Sequence, residues 1–175
     1  PLGTLVRVWS HLLREGVPIR DLRTILETIA DHAATTKDAD ILTEVARQAL
    51  GRTITKQYLA PDGSLPIIGL DPRLDRTLAD QANAAGQGTQ WVPDPLVAQK
   101  LLTALKAAAE RMVGRGHQPV ILCSPSLRRH LRKLTDRILH SVPILGLNEV
   151  ESVTRLQAVE TVRLDLEVGE NRSLA

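Results

Sequence analysis

The stretch Leu65-Pro66-Ile67-Ile68-Gly69-Leu70-Asp71-Pro72 marks the point at which the pattern of the chain changes. Its first six residues are a short apolar run, which is typical of a buried strand. Asp71-Pro72 then supplies a helix N-cap followed by proline at the first helical position, so a helix is predicted from there to about Ala85. The stretch therefore predicts a strand that leads directly into a helix, the unit from which α/β folds are built.

The residues after this stretch continue the alternation of strands and helices. Asp94-Pro95 repeats the helix-start signal and predicts a long helix to about Met112. Pro119–Cys123 is a continuous apolar run, as expected of a strand covered on both faces, and Ser124-Pro125 opens another helix. Two further strands are predicted at residues 142–147 and 159–166. The order β-α-α-β-α-β-β indicates an α/β unit of two or three layers.

The residues before the stretch predict helices alone. Apolar residues recur at helical spacing from Leu5 to Arg14, and Gly16 is expected to end that first helix. A second helix is predicted to begin at Pro18, and a third to begin near Asp38 or Asp40 and to bury residues as far as Ile54. Three amphipathic helices with short connections form a small bundle.

The turn residues Ala60-Pro61-Asp62-Gly63-Ser64 are the predicted boundary between the two patterns. The fold class is therefore mixed α and β, with a three-helix subdomain at residues 4–60 followed by a compact α/β subdomain at residues 61–167. Residues 86–90 are expected to form a flexible loop and residues 168–175 a flexible tail. Pro1-Leu2-Gly3 has the form of a scar left by removal of a purification tag, so the chain is expected to be a piece of a longer protein.

The composition of the 175 residues is that of a globular protein, with 43% hydrophobic and 24% charged residues. Lys and Arg number 22 against 20 Asp and Glu, which gives no broad electrostatic footprint for nucleic acid or anionic lipid. Aromatic residues make up 2%, too few for a platform on which single-stranded bases stack. A single cysteine permits no internal disulfide.

Cys123 and Arg129 give the sharpest signal for an enzyme. A Cys-x5-Arg spacing between a strand and a helix is the arrangement of cysteine phosphatases, in which a thiolate attacks phosphorus and the guanidinium holds the phosphoryl oxygens. A phosphate cradle needs several free amides and glycine to turn them inward, yet Pro125 removes one amide and no glycine follows Cys123 in the loop. Cys123 is therefore expected to be a small buried hydrophobe and Ser124 an N-cap. A cysteine phosphatase-like enzyme stays open as the alternative.

No pattern for a metal or a cofactor is found. The five histidines form no i, i+4 pair, no second cysteine is present, and no glycine-rich dinucleotide or nucleoside triphosphate motif occurs. The basic residues of the segment 128–137 surround an apolar stripe, so they are expected to be the solvated flanks of a core helix rather than contacts to nucleic-acid phosphates.

Charges of both signs lie on the polar faces of the three predicted helices. An ordinary solvated surface is the commoner interpretation, and a subunit contact in which opposite charges set the register is the alternative. The candidate contact residues on these faces are Arg20, Asp21, Arg23, Glu27, Glu44, Arg47 and Arg52.

The stretch from Leu12 to Glu27, LLREGVPIRDLRTILE, resembles a signature of the flagellar and type III secretion export-gate family. Three further blocks agree with that family in order and spacing: Thr36-Lys37-Asp38 with Leu42-Thr43-Glu44, Ala49-Leu50-Gly51-Arg52-Thr53-Ile54-Thr55, and Gln118-Pro119-Val120-Ile121-Leu122-Cys123-Ser124-Pro125. The resemblance spans residues 5–150 and is closer to the flagellar members. Leu145–Val153 departs from the family pattern and keeps only Asn148-Glu149.

The resemblance implies a function that the composition does not show. Members of the family are inner-membrane proteins, and this chain resembles the last two of four cytoplasmic subdomains. Those cytoplasmic regions form a nonameric ring, in which the third subdomain supplies much of the contact between neighbours. The resemblance thus implies a non-enzymatic module at the cytoplasmic face of the inner membrane, whose partners are copies of itself, other export components, and export substrates or chaperones. Any membrane contact would be made through upstream helices, and the chaperone groove of the family lies between the two subdomains that this chain lacks.

Overall fold

Seven α-helices and four β-strands are present in the computed structural model, which describes residues 2–86 and 90–166. The predicted fold class, mixed α and β, is confirmed. In chain order, the elements are α1 (Leu2–Arg14), α2 (Leu22–His32), α3 (Ala39–Ala49), α4 (Gly51–Lys56), β1 (Leu65–Leu70), α5 (Pro72–Ala84), α6 (Pro95–Gly114), β2 (Ile121–Cys123), α7 (Pro125–Thr135), β3 (Ile144–Gly146) and β4 (Leu156–Val162).

The four strands form one parallel sheet in the order β3-β2-β1-β4. Because β3 and β4 lie at opposite edges, the connection of residues 147–155 has to cross the whole sheet. A short 3-10 turn, Leu147–Glu149, opens this connection and contacts α3 and α4. This connection therefore runs over the face of the sheet that α1 to α4 cover. It places Glu149 between those helices and the sheet.

The alternation of side chains along each strand divides the core between two faces. On β1, Ile68 and Leu70 pack with α5, α6 and α7, whereas Leu65 and Ile67 pack with α1 to α4. On β2 the same division separates Ile121 from Leu122. The sheet is therefore covered on both faces, as the apolar run at residues 119–123 predicts. The division into subdomains at residues 60–61 stays a prediction, because the helices before that point share an apolar cluster with the sheet.

Aspartate N-caps and glycine turns account for several of the helix ends. Gly16 adopts a φ of 68°, and the amide of Val17 donates to the Leu12 carbonyl at 2.9 Å, so this glycine ends α1 as predicted. The predicted start of the second helix at Pro18 is wrong, because Asp21 is the N-cap and accepts from the Thr24 amide at 3.1 Å. The first helix begins at Leu2, earlier than predicted.

Several large apolar side chains are exposed. Leu22 and Leu26 are 49% and 43% exposed, because Ile25 and Ile29 alone supply the fully buried positions of α2. Leu96 on the first turn of α6 is also exposed, as is Ile138, since α7 ends at Thr135 and leaves Ile138 beyond the helix. The predicted tail at residues 168–175 and most of the loop at 86–90 lie outside the described residues. In the described part of the chain, no helix is both long and apolar enough to cross a bilayer.

Gly51, at the start of α4, lies against the backbone of the crossing connection. A Cβ at this position would come within 2.5 Å of the Glu149 carbonyl oxygen and 2.9 Å of its Cα. Thr55, one turn later, donates its hydroxyl to the same carbonyl oxygen at 3.1 Å. The absence of a side chain at Gly51 is therefore what permits α4 to pack on the connection.

We predict that Gly51→Ala lowers the free energy of unfolding by about 3 kcal/mol, because backbone must move to relieve the clash. Urea unfolding followed by circular dichroism measures this change. Gly114→Ala is the matched control, since a Cβ there meets nothing within 4 Å. Equal stability of the two variants would show that α4 does not pack on the connection in this way.

Candidate functional site

Six ionised side chains meet where α1, α3 and α7 pack against β3 and the connection that follows it. This charge cluster consists of three arginines and three glutamates: Arg47, Arg128, Arg132, Glu15, Glu44 and Glu149. Positive and negative charges are equal in number, and buried charges are tolerated where they are paired and hydrogen-bonded. The glutamates and arginines come from both sides of the predicted subdomain boundary.

Arg47 on α3 is the first centre of the cluster and is 2% exposed. Its Nε and Nη2 donate to the two carboxylate oxygens of Glu149 at 2.8 and 3.0 Å, a bidentate pair. Its Nη1 donates to Glu15 Oε2 at 3.0 Å, and its Nη2 also reaches the Ile144 carbonyl at 3.2 Å. Arg47 thus joins α1, α3, β3 and the crossing connection through one guanidinium.

Arg128 on α7 is the second centre and is 1% exposed. Its Nε donates to Glu44 Oε2 at 2.7 Å, and its Nη2 donates to the other oxygen of the same carboxylate. Its Nη1 and Nη2 donate to the two oxygens of Glu15 at 2.7 and 3.1 Å. Two bidentate pairs on a single guanidinium hold α7 in register with both α1 and α3.

Arg132, one turn further along α7, is 8% exposed and bonds to backbone rather than to a carboxylate. Its Nη1 donates to the Val142 carbonyl at 2.8 Å and its Nη2 to the Leu139 carbonyl at 3.0 Å. Its Nε is buried and has no hydrogen-bond partner among the residues that the structure describes. Arg132 supplies the third positive charge of the cluster at longer range, because it helps to lower the pKa of Glu15.

The cluster overturns two expectations from the sequence. The basic residues of α7 were predicted to be solvated, yet Arg128 and Arg132 are buried. Arg47 was predicted on an exposed face, yet it is buried, and Glu44, its neighbour on α3, pairs with Arg128. The helical pattern of α7 shows which face carries leucine, but it does not show that carboxylates from distant elements lie beside that face.

The other predicted contact residues lie on the surface. Arg20, Asp21, Arg23, Glu27 and Arg52 are all exposed. Arg23 pairs with Glu27 one turn later at 2.8 Å, while the Asp21 carboxylate is engaged in capping α2. Exposed pairs of this kind contribute ~0–1 kcal/mol, so these side chains can change partners at little cost. No subunit contact is present in the structure to test their predicted role.

Cys123 lies in a closed, apolar setting rather than in a phosphate cradle. It is 4% exposed, and burial, followed by the nearby Asp75 carboxylate, raises the pKa of its thiol. The Ser124 amide, which would face an anion in such a loop, donates instead to Asp75 Oδ2 at 2.9 Å. A protonated thiol beside a fixed carboxylate is poorly suited to attack a phosphate. Ser124 occupies the N-cap position of α7, although its hydroxyl makes no capping bond.

Ligands for a metal are not gathered anywhere in residues 2–86 and 90–166. No group of three or more His, Cys, Asp or Glu side chains there has the arrangement to hold an ion. His130 is buried on α7 and stands edge-on to Trp91, with ring centroids 6.2 Å apart. Its pKa is lowered by burial first and then by Arg129 and Lys133.

The helices on both faces of the parallel sheet give a three-layer α/β unit. Its buried charges pair with one another, and charges of both signs remain exposed on its helices. The sequence pattern of the FHIPEP family matches residues 1–155, and the chain belongs to the FHIPEP family. The resemblance to the export-gate family is thereby confirmed.

Relatives of known identity agree with this assignment. The flagellar biosynthesis protein FlhA of Salmonella typhimurium is 38% identical over 161 residues, which cover 92% of this chain and 22% of that protein. CdsV in the Chlamydia pneumoniae CdsV and CdsO protein complex superposes with a TM-score of 0.79 at 25% identity, over 93% of this chain and 48% of that chain. The nonameric EPEC SctV-C, solved by cryo-EM, gives 0.78 at 28% identity, over 91% and 48%.

The chain spans about a quarter of the length of the curated relatives that it matches, 24% of the FlhA of Bacillus subtilis and 22% of that of Salmonella typhimurium. The matched residues 1–155 include all six members of the charge cluster.

We predict that Arg128→Met lowers the free energy of unfolding by about 3–5 kcal/mol, because it leaves Glu15 and Glu44 buried beside too few positive charges. Chemical denaturation of the purified chain measures the change. Arg23→Met is the control, since it removes one member of an exposed pair and is expected to change stability by ~0–1 kcal/mol. Similar losses in both variants would contradict the structure of the cluster.

Acid is predicted to destabilise the protein through Glu15. Burial is the largest influence and acts to raise the pKa of Glu15, but Arg128 and Arg47 outweigh it and leave the pKa below its ordinary value of 4.5. A carboxyl whose pKa is depressed by folding stabilises the folded state above about pH 4.5, and that contribution is lost as the pH falls through the folded-state pKa.

Unfolding by urea between pH 6 and pH 3 measures this loss. Glu15→Gln is expected to reduce the fall in stability across that range. Leu78→Ala, which destabilises the protein from the opposite face of the sheet without removing an ionisable group, is expected to keep this fall in stability. An unchanged pH slope in Glu15→Gln would mean that the arginines do not hold this carboxylate ionised.

Proposed function

We propose that this chain is a non-enzymatic cytoplasmic module of a flagellar or type III protein-export gate, where it forms part of a homo-oligomeric ring and docks export partners. The observation that carries the proposal is the match of the FHIPEP family to residues 1–155. The nonameric assembly of EPEC SctV-C, which shares the fold at 28% identity, supports a ring. The 38% identity to a flagellar biosynthesis protein favours the flagellar system.

The division of charges within the chain supports a scaffold. The inward charges of α1, α3 and α7 are satisfied by one another, so they fix the shape of the module. The outward charges of α2 and α4 are exposed and weakly paired, so they are available to a neighbouring subunit. Arg20, Asp21, Arg23, Glu27 and Arg52 are therefore the proposed contact residues. Arg47 and Glu44 act through the charge cluster instead.

The solved complex of CdsV with CdsO supports docking of a partner protein by a relative of this chain. The proposed location is the cytoplasmic face of the inner membrane, with the membrane reached through parts of the parent protein outside this chain. The absence of catalysis belongs to the same proposal, and the occupied Ser124 amide and the buried thiol of Cys123 support it over the phosphatase alternative.

We predict that the pair of reversals Arg20→Glu and Arg23→Glu weakens ring formation by the whole cytoplasmic region of the parent protein. The expected effect is about 1 kcal/mol per interface, or about fivefold in affinity, because each residue contributes one exposed charge. The loss accumulates around a closed ring, which has as many interfaces as subunits. Native mass spectrometry against protein concentration measures the ring population.

Arg73→Glu is the control, because Arg73 is an exposed arginine on α5, in the layer on the other side of the sheet. Asp21 is left unchanged, since removing the α2 cap would confuse a loss of stability with a loss of assembly. If the reversals and the control change the ring population equally, α2 is not part of the interface between subunits.

A further inference from the structure

Trp91 lies in the connection between α5 and α6, close to the start of α6. Its indole packs partly buried against the apolar cluster of α5, α6 and α7, whereas the neighbouring Val92 is 77% exposed. A cavity of about 270 Å³ lies between residues 90–93, the start of α3 and the outer part of α7. Residues 90–93, here called the Trp91 segment, are therefore held by Trp91 and the buried Pro93 beside a space with room for several water molecules.

His130 on α7 is the ring against which this indole stands. The two ring planes lie at 82° to each other, an edge-to-face arrangement that stabilises aromatic pairs. His130 is 8% exposed, and its Nε2 is buried with no hydrogen-bond partner among the residues that the structure describes. A neutral imidazole is compatible with this position, because its proton can reside on Nδ1. An imidazolium has a proton on both nitrogens, so it would bury a charged donor without an acceptor.

The charges that surround His130 do not favour its protonation. Burial is the largest influence that lowers the pKa of this imidazole, followed by Arg129 and Lys133 on the same helix. Glu44 and Asp40 on α3 act in the opposite direction, but each of these carboxylates is already paired with a cation of α7. The Trp91 segment adds no charge, since its four residues are Gln, Trp, Val and Pro.

The other elements around α7 supply no free carboxylate to His130 either. Asp38, which lines the same cavity, caps α3 by accepting from the Asp40 amide at 2.8 Å. Asp75 of α5 accepts from the Ser124 amide at the first turn of α7, and β3 consists of uncharged residues. The remaining charged residues of α5 are exposed: Arg73, Arg76 and Asp80. In the described part of the chain, no carboxylate oxygen lies within 4 Å of a ring nitrogen of His130.

We propose that the contact between His130 and Trp91 is a pH-sensitive switch, which holds the Trp91 segment on α7 while the imidazole is neutral and releases it when the imidazole is protonated. The proton binds more tightly to the released form, in which water solvates the imidazolium, than to the docked form. The equilibrium therefore shifts towards release as the pH falls below about 6.5, the ordinary pKa of histidine. The ratio of the two proton affinities limits the shift.

Release gives the module an exposed aromatic side chain beside α3 in mildly acidic conditions. The switch is separate from the subunit contacts proposed on α2 and α4 and does not depend on them. Its pH range also lies above that of Glu15, whose contribution to stability is lost below about pH 4.5. The two effects of acid can therefore be measured independently.

NMR of the 175-residue chain tests the switch without altering it. The ring resonances of His130 and the indole N–H resonance of Trp91 are followed from pH 7.5 to pH 5. A midpoint for His130 below pH 6.5 is expected, and the Trp91 resonance is expected to change with the same midpoint. A midpoint at or above pH 6.5 would show that the docked site stabilises the imidazolium, for example through a cation–π contact, and would overturn the proposal. A Trp91 resonance that does not change with pH would also overturn it.

Acrylamide quenching of fluorescence lifetimes measures release of the segment. Trp9→Phe leaves Trp91 as the sole tryptophan. The quenching constant of Trp91 is expected to rise about twofold between pH 7.5 and pH 5, because release exposes the partly buried ring in a local opening. The far-ultraviolet circular dichroism is expected to stay unchanged. Equal quenching at the two pH values would contradict the switch.

His130→Phe in the same background separates the switch from general effects of acid. Phenylalanine keeps an aromatic ring against Trp91, loses no hydrogen bond at the unpartnered Nε2 and cannot be protonated. Trp91 is therefore expected to stay shielded at both pH values. His140→Gln is the matched control, since it removes an exposed histidine beyond α7 and is expected to keep the rise in quenching. A rise that persists in His130→Phe, or that is lost in His140→Gln, would overturn the assignment to His130.

Discussion

Neutralisation of buried charge is the constraint on which the rest of this structure depends. Arg47 and Arg128 are almost wholly removed from water, and each is acceptable there only because carboxylates of Glu15, Glu44 and Glu149 meet it with paired hydrogen bonds. Those carboxylates lie just after α1, on α3 and in the connection after β3. The relative positions of these elements are therefore fixed by charge geometry as well as by apolar packing.

The same constraint distinguishes the buried, paired charges of the helices from the exposed ones. Apolar packing alone tolerates small shifts, whereas a bidentate guanidinium–carboxylate pair requires its partners in one orientation. The inward pairs thus give the module a defined shape, and the exposed residues of α2 and α4 are presented from a rigid support. The ring assembly that we propose for this chain needs both properties, because small errors in the shape of one subunit accumulate around a closed assembly.

Much of the fold follows from local signals in the sequence. The pairs Asp71-Pro72 and Asp94-Pro95 mark the starts of α5 and α6, since an N-cap carboxylate and a following proline act within one turn. The apolar run that contains β2 predicts coverage on both faces, which the two apolar clusters confirm. The start of α2 is predicted at Pro18, although Asp21 is an equally plausible N-cap in the sequence. The hydrogen bond from the Thr24 amide to the Asp21 carboxylate identifies Asp21 as the N-cap in the structure.

The charge cluster could not be predicted in the same way. Arg128 follows Leu127 in a run of basic residues, and nothing local distinguishes it from Arg129, which is partly exposed. Its carboxylate partners lie 84 and 113 residues away in the chain. One signal was available in principle: Glu149 is retained where the segment Leu145–Val153 otherwise departs from the export-gate pattern. A single acidic residue kept in a changed segment is consistent with a partner elsewhere in the fold.

We expect the charge cluster to join α1 to α4 and the remaining α/β unit into one cooperative structure. Trp9 packs in the apolar cluster of the first four helices and Trp91 in that of the opposite face, so each reports on one side of the sheet. Unfolding by urea, followed by fluorescence in Trp91→Phe and in Trp9→Phe, compares the two sides directly. Coincident transitions with equal midpoints are predicted. Two separate transitions would contradict the account.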